Sequence, residues 1–313
     1  MKKITVATRG SMLALWQAEW VKSELEKNNP GIEVELLKIK TTGDKITDVP
    51  LAQVGGKGLF TKEIEEALLN KDADLAVHSM KDVPTFFPEG LHLRAITERE
   101  DPRDALISHK PEEKLADLKP DAVVGTSSLR RKAQLLVVRP DFKIEDLRGN
   151  VDTRLRKVKE GEYDAIILAG AGLRRLGWAE RISEYIDPDV MLPAIGQGAL
   201  GIETRIDDAE TNELVSFFNH RDTSIAVTAE RALLGRLEGG CQVPIAAFGT
   251  IDDSIVKLKG LVASVDGKRI IQDEISGPVE GAEALGVELA ERLLKNGAHE
   301  ILSELYDISA LEE

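Results

Sequence analysis

The sequence predicts an α/β protein: two successive blocks of strand–helix–strand units carrying parallel sheets, then a smaller α+β unit with a short antiparallel meander. Three observations predict it. Apolar runs of strand length alternate with helical patterns from Lys2 to about Asp222, as βαβ units require. Beyond that point three strand-like runs follow one another at hairpin spacing. Finally, 313 residues, 42% hydrophobic and 31% charged, are too many for one ordinary core and too apolar for a disordered chain.

Lys2 to Thr8 reads as the first strand. Ser11 reads as the N-cap of a helix whose buried stripe is expected at Leu13, Trp16 and Trp20. Glu33 to Ile39 alternates as a half-buried strand does, and the polar, glycine-rich stretch 41–58 shows no period. Thr61 can cap the next helix, with Ile64, Ala67 and Leu68 inward, and Asp74 to His78 suits a parallel strand covered on both faces. The charged run EREDPRD, residues 98–104, reads as a crossover between domains. A second block follows: a strand near Ala122–Gly125, a helix opening at Thr126–Ser128, a helix from Asn150 with Val151, Leu155 and Val158 on one face, and a buried strand at Asp164–Ala169. After Asp222 a long helix to Leu237 ends in Glu238-Gly239-Gly240, followed by Cys241. Strands at Pro244–Ile251, Ile255–Val262 and Lys268–Ile275 turn at Asp253 and Gly267, and an amphipathic helix, Ala284–Leu294, is expected to close the chain.

Composition excludes several classes. A net charge of −14 argues against nucleic acid or an anionic membrane as the main partner. One cysteine rules out an intrachain disulfide and fits a reducing compartment. No apolar run reaches membrane-spanning length and no secretory h-region opens the chain, so a cytoplasmic protein is expected. The charge is unevenly spread. Thr126 to Arg181 holds 13 Lys and Arg against 8 Asp and Glu, a local +5, while the rest holds 28 against 47, or −19. A basic island in an acidic chain points to an anionic ligand held at one place; scattered Arg on a solvated helix face would give the same count.

Ligands of open parallel sheets bind beyond the carboxyl ends of the strands, and four polar clusters fall there. They are Arg9-Gly10-Ser11; His78-Ser79-Met80-Lys81-Asp82; Gly125-Thr126-Ser127-Ser128-Leu129-Arg130-Arg131; and Gly170-Ala171-Gly172-Leu173-Arg174-Arg175. Arg148 and Arg154 bracket one more helix start. Singly, each is explained by a helix cap or an exposed first-turn Arg. Together they repeat one design, hydroxyls and Arg at a helix N-terminus, which suits a ligand with several carboxylates or phosphates. Other chemistries lack their residues. Gly170-x-Gly172-x-x-Arg175 misses the third small residue of a dinucleotide fingerprint, and Gly55-Gly56-Lys57-Gly58 has no following Ser or Thr to make a P-loop. Five scattered His and one Cys give no metal spacing, and no G-x-S-x-G elbow is present. Cys241, in a glycine-rich turn before Pro244, fits a reactive thiol and a small packing hydrophobe equally.

LEGGCQVP around Cys241, VGGKGLF at Val54–Phe60, HSMKDVP at His78–Pro84, GTSSLRR at Gly125–Arg131, LRGNV at Leu147–Val151 and PAIGQGA at Pro193–Ala199 resemble, in order and along the whole chain, the porphobilinogen deaminase (hydroxymethylbilane synthase) family. The resemblance implies two lobes like type II periplasmic binding proteins, residues 1–97 with 199–217 and residues 98–198, and a C-terminal α+β domain, 221–313, that presents the cysteine to the cleft. It implies a transferase of tetrapyrrole and haem biosynthesis that joins four porphobilinogens head to tail with loss of ammonia and releases hydroxymethylbilane by hydrolysis. Cys241 would carry a dipyrromethane cofactor through a thioether, and Asp82 would be the catalytic carboxylate. Arg9, Ser11, Ser79, Lys81, Thr126, Ser127, Ser128, Arg130, Arg131, Arg148, Arg154 and Arg175 would bind cofactor and substrate carboxylates. Lys57, a further binding residue, and Phe60 would lie on or beside a loop over the cleft. The sequence departs at Gln53, where several relatives carry Lys, which puts one loop-borne carboxylate contact in question. A cytoplasmic monomer with a small-molecule substrate and no nucleic-acid or membrane partner is expected. The acetate and propionate of each substrate would account for the basic island. The alternative is a two-lobed anion-binding module without chemistry, against which Asp82 stands, since a carboxylate repels anions.

Overall fold

The computed structural model of the protein describes residues 2–45, 58–238 and 243–311. Among these residues the chain forms three sheets. The first part runs β1 (Lys2–Arg9), α1 (Met12–Asn28), β2 (Ile32–Ile39), a single turn α2 (Thr42–Lys45), α3 (Lys62–Leu69), β3 (Leu75–Ser79) and β4 (Leu91–Ile96). The second part runs β5 (Asp104–Ser108), β6 (Val123–Gly125), α4 (Leu129–Val138), β7 (Lys143–Glu145), α5 (Val151–Lys159), β8 (Ala165–Ala169), α6 (Gly170–Arg175) and β9 (Glu184–Tyr185). The chain then returns as β10 (Leu200–Arg205) and α7 (Ala209–Leu214), and continues through α8 (Arg221–Arg236), β11 (Ile245–Asp252), β12 (Ile255–Ala263), β13 (Ile270–Pro278), α9 (Ala282–Leu293) and α10 (His299–Leu311).

The two larger sheets are mixed, which corrects the expectation of parallel ones. Their orders are β2-β1-β3-β10-β4 and β7-β6-β8-β5-β9. In each, three strands are parallel and the fourth is antiparallel to both its neighbours. The cause is where the fourth strand enters. Leu200 of β10 pairs with Ser79 at the carboxyl end of β3, and Asp104 of β5 pairs with Ala169 at the carboxyl end of β8. Each sheet thus takes in a strand that starts at the rim and runs away from it, β5 at the opening of the second part and β10 on the chain's return to the first. Both crossovers therefore pass the rim where ligands of such sheets bind.

Ser11 caps α1 as the sequence predicts, its hydroxyl accepting from the Ala14 amide at 3.3 Å. The buried stripe of that helix is Ala18, Val21 and Leu25, not Leu13, Trp16 and Trp20. Smaller residues lie against the sheet; Trp20 meets Phe218 at the edge (ring centroids 5.7 Å apart) and Trp16 stays 36% exposed. Leu13 faces the second part of the chain, where a Cβ added to Gly172 would lie 3.3 Å from its Cδ2. The stripes of Ile64, Ala67 and Leu68 on α3 and of Leu155 and Val158 on α5 are buried as predicted.

The third sheet is antiparallel in the order β11-β12-β13, with turns at Asp253 (φ 55°) and Gly267 (φ 70°). Its core packs Leu233 and Leu237 of α8 and Leu285, Leu289 and Leu293 of α9 against Val256 and Leu258. The helices approach closely at Gly286, where a Cβ would stand 2.1 Å from the Ala229 carbonyl oxygen. The helix predicted to end the chain does not end it. The backbone kinks at Gly297 (φ 109°) and goes on into α10, because a left-handed residue breaks the hydrogen-bond ladder and lets helix restart.

Glu230 of α8 ties all three parts together. Fully buried, it grips Arg99 of the first crossover with both oxygens (2.8 and 2.9 Å) and accepts the amides of Gly196 in the second crossover and Gly249 in β11 (2.7 and 2.8 Å). Such a carboxylate has every lone pair direction used by donors that belong to different segments.

Candidate active site

Asp82 closes a single 3-10 turn, Met80–Asp82, that follows directly on β3. The turn is pinned from several sides. Met80 donates its amide to Ala199 (3.0 Å) and buries its side chain against Gly196 and Gly201. Gly196 (φ 68°) sits so close that a Cβ would meet the Met80 Cβ at 2.7 Å. Behind Asp82, Arg231 of α8 donates to the carbonyls of Val83 and Pro84 at 3.1 and 2.6 Å.

Around this turn, cations gather from the second part of the chain. Burial pushes the Lys81 ammonium below its ordinary value; Asp82 and Asp104 pull it back up, while Arg131 and Arg154 push it further down. Burial lowers the Arg154 guanidinium to about 10, Arg131 and Arg148 add to the fall, and Asp82 opposes it. Arg175, which donates to the Gly198 carbonyl at 2.6 Å, is lowered by burial to about 10 as well, with Glu100 opposing. Asp82, on the turn after β3, and Arg154 of α5 are thus within electrostatic reach of one another, and so are Lys81, Arg131 and Arg148. Partly desolvated cations crowded together are an environment that anions relieve. A ligand bearing several carboxylates suits it.

The GTSSLRR segment is divided between holding and being held. Ser128 caps α4, and its own amide donates to the Thr126 hydroxyl at 3.2 Å. Ser127 donates to the Leu147 carbonyl (2.6 Å) and accepts its amide (3.0 Å), tying this turn to the LRGNV turn. The two Arg are neither exposed, as a first-turn pair usually is, nor aimed outward. Arg130 donates to Asp104 and to the Leu192 carbonyl, both at 2.7 Å. Arg131 donates to Asp104 at 3.0 and 2.7 Å and to the Ile167 carbonyl at 3.1 Å. Gln197 adds a third donor to Asp104 at 3.0 Å. Burial by itself would raise the Asp104 carboxyl; the two guanidiniums outweigh it and hold the group far below the usual carboxylate range.

Arg9, at the end of β1, lies over the Phe60 ring at 4.1 Å and donates from Nε to Asp44 at 3.2 Å. Burial would raise Asp44, but Arg9 and Thr41 together hold it below its ordinary value. Ser79 ends β3 without a side-chain cap bond. His78, next to it, is not aimed at the site; its Nε2 meets Glu203 at 2.9 Å in the core. Cys241, Lys57 and Gln53 lie outside the described residues. Sequence reasoning brought Lys81, Asp82, Arg148 and Arg154 to one place and missed Asp104, Glu230 and Arg231. Asp104 does carry a sequence signal, an acidic residue heading the apolar run DALIS, which the charged crossover EREDPRD masks.

A family model described as "Porphobilinogen deaminase, dipyromethane cofactor binding domain" matches residues 4–213, and one described as "Porphobilinogen deaminase, C-terminal domain" matches 224–295. The chain is 62% identical to the porphobilinogen deaminase of Geotalea uraniireducens over 306 residues, 98% of this chain and 96% of that one. It is 62% identical to that of Geobacter metallireducens over 312 residues, covering 100% and 98%. Among solved structures, the substrate-binding domain of a putative molybdenum ABC transporter from Clostridium difficile is similar at a TM-score of 0.44, with 9% identity over 70% of this chain and 93% of that one.

Proposed function

The chain belongs to the porphobilinogen deaminase family, and from that premise we propose how its residues divide the work. The reaction joins four porphobilinogens with loss of ammonia and releases hydroxymethylbilane, a step of tetrapyrrole synthesis, and the family's cofactor is dipyrromethane. The full-length match to deaminases removes the alternative of a mere anion-binding module.

Arg148, Arg154, Arg175 and Lys81 hold carboxylates of the bound chain. All four are half-buried, so part of the desolvation cost is met before an acetate or propionate arrives at the preorganised charge. Arg131 contributes charge from its place on Asp104, while Arg130, Thr126, Ser127 and Ser128 keep the turn in shape. Arg9 and Ser11 line the end of β1, with Phe60 beside them. Cys241 attaches the cofactor by a thioether, a reading supported by the LEGGCQVP match and by the absence of any second cysteine to compete for it. When bound, dipyrromethane supplies an anchored pyrrole with a free α-carbon as nucleophile. Asp82 accepts from pyrrole N–H groups, stabilises positive charge as it forms and leaves the proton it shares with the substrate amine on the nitrogen, which departs as ammonia.

The domain division at 1–97 with 199–217, 98–198 and 221–313 is supported by the three sheets and their separate cores. A monomer is proposed on the family resemblance alone. Net charge −14 supports the absence of a nucleic-acid partner and a single cysteine supports the cytoplasm. Among the described residues no helix is long and apolar enough to cross a membrane.

The observation that carries the catalytic assignment is Asp82 held rigidly amid buried cations that it alone on its turn can offset. Asp82→Asn keeps shape and removes the charge that matters more in the transition state than in the ground state. Single-turnover rates should fall about 10²–10⁴-fold in protein whose intact mass still shows two linked pyrroles. The mass excess should vanish in Cys241→Ala. A fully loaded Asp82→Asn enzyme running within a few-fold of the parent would make Asp82 structural, and an unmodified parent mass in active protein would remove the thioether.

A further inference from the structure

Arg231 belongs to α8, which otherwise packs on the third sheet, yet its described hydrogen bonds go to the turn beyond Asp82. The guanidinium takes two consecutive carbonyls, Val83 at 3.1 Å and Pro84 at 2.6 Å, as a fork takes two prongs. One helical turn earlier on the same face, Val227 is fully buried and packs with Met80 and Val83. The helix thus touches the catalytic turn twice, once by packing and once by hydrogen bonding. Phe87 lies 5.7 Å from the guanidinium and shields it. Burial lowers Arg231 to about 10, and among the described residues no neighbouring carboxylate offsets it. A desolvated cation satisfied by backbone alone is costly where a neutral side chain would pack, so its position calls for a reason beyond stability.

The rest of α8 supplies that reason. Glu230, the adjacent residue, fixes the same helix to both crossovers, and Cys241 follows the helix end at Arg236 by five residues. One helix therefore runs from the turn that carries Asp82 to within five residues of Cys241 in sequence. We propose that Arg231 is a positioning residue for Asp82: by holding the Val83 and Pro84 carbonyls it fixes the direction of the Asp82 carboxylate relative to the helix that leads to Cys241. Lys cannot reproduce this, because an ammonium on a flexible stem holds one carbonyl without fixing the plane of two. The inference rests on the reading of Asp82 as the catalytic carboxylate.

The test is a double-mutant cycle between Arg231 and Asp82 on cofactor-loaded full-length enzyme. Arg231→Met and the milder Arg231→Lys are each made alone and with Asp82→Asn, with intact mass, thermal midpoint, kcat and KM read for all. The expected result is a fall in kcat of about 10–100-fold for Arg231→Met, a smaller fall for Arg231→Lys, KM within a few-fold and normal cofactor mass. In the Asp82→Asn background either change should cost at most about two-fold, since the carboxylate it aims is gone. An equal loss in both backgrounds would overturn the proposal and leave Arg231 a general support of the fold. So would a loss confined to cofactor mass or to KM, or an unchanged kcat. If Arg231→Met does not fold, the Arg231→Lys pair decides by the same criteria. Failure of the underlying reading is separately visible: Asp82→Asn alone would then keep its kcat, whatever Arg231 does.

Discussion

Asp104 shows how much one residue can settle. Its carboxylate, with no exposed side-chain surface, neutralises Arg130 and Arg131 and accepts from Gln197. Breaking a buried ion cluster by removing one partner leaves uncompensated charge, here two guanidiniums, so Asp104→Ala should lose about 3–5 kcal/mol in denaturant unfolding. The pH dependence has a definite sign. The folded carboxyl lies well below the unfolded value of about 4, so its contribution is complete above that pH and is lost as the pH falls below it. Asp104→Ala should therefore flatten the acid limb of the stability profile between pH 4 and 2 (roughly the range over which the unfolded carboxyl outcompetes the folded one for protons). The two Arg were legible in the sequence as cations at a helix start. Their partner was not, because an Asp that closes the charged run EREDPRD reads as linker until the strand it heads has been placed beside the helix.

At the scale of elements, spacing located most strands and helices but not the company they keep. Ile64, Leu68, Leu155 and Val158 point inward as their period requires. In α1 two apolar stripes compete, and only tertiary contact reveals that the sheet takes Ala18, Val21 and Leu25 while Leu13 meets Gly172. The hairpin turns at Asp253 and Gly267 were readable because each needs a particular backbone conformation. Strand direction in the larger sheets was not, since β10 and β5 owe their orientation to strands more than a hundred and about sixty positions away. The contact of α8 with α9 offers a test at this scale. A Cβ at Gly286 would overlap the carbonyl of Ala229, the residue before Glu230. Gly286→Ala gains helix propensity yet must push the two helices apart, so a net loss of about 1–3 kcal/mol is expected, read as a lower thermal midpoint. If the variant is as stable as its parent, the helices do not meet as closely as described here.

For the molecule as a whole, the exchange of strands has a consequence for its birth. The second sheet is complete within residues 104–185, whereas the first lacks β10, the strand that separates β3 from β4, until residue 205 has been made. A ribosome delivers the chain in order, and units fold as their sequence emerges. The later-encoded sheet should thus become protected first, while β1 to β4 wait with the edges of β3 and β4 unpaired. Pulsed hydrogen exchange on a chain halted at residue 198 should find β5, β6 and β8 slow and β4 fast, and extension to residue 217 should slow β4. Protection of β4 in the shorter chain would show that the first sheet closes without its borrowed strand. During that interval an apolar strand edge is open to any other strand, so the moment of greatest aggregation hazard falls midway through synthesis.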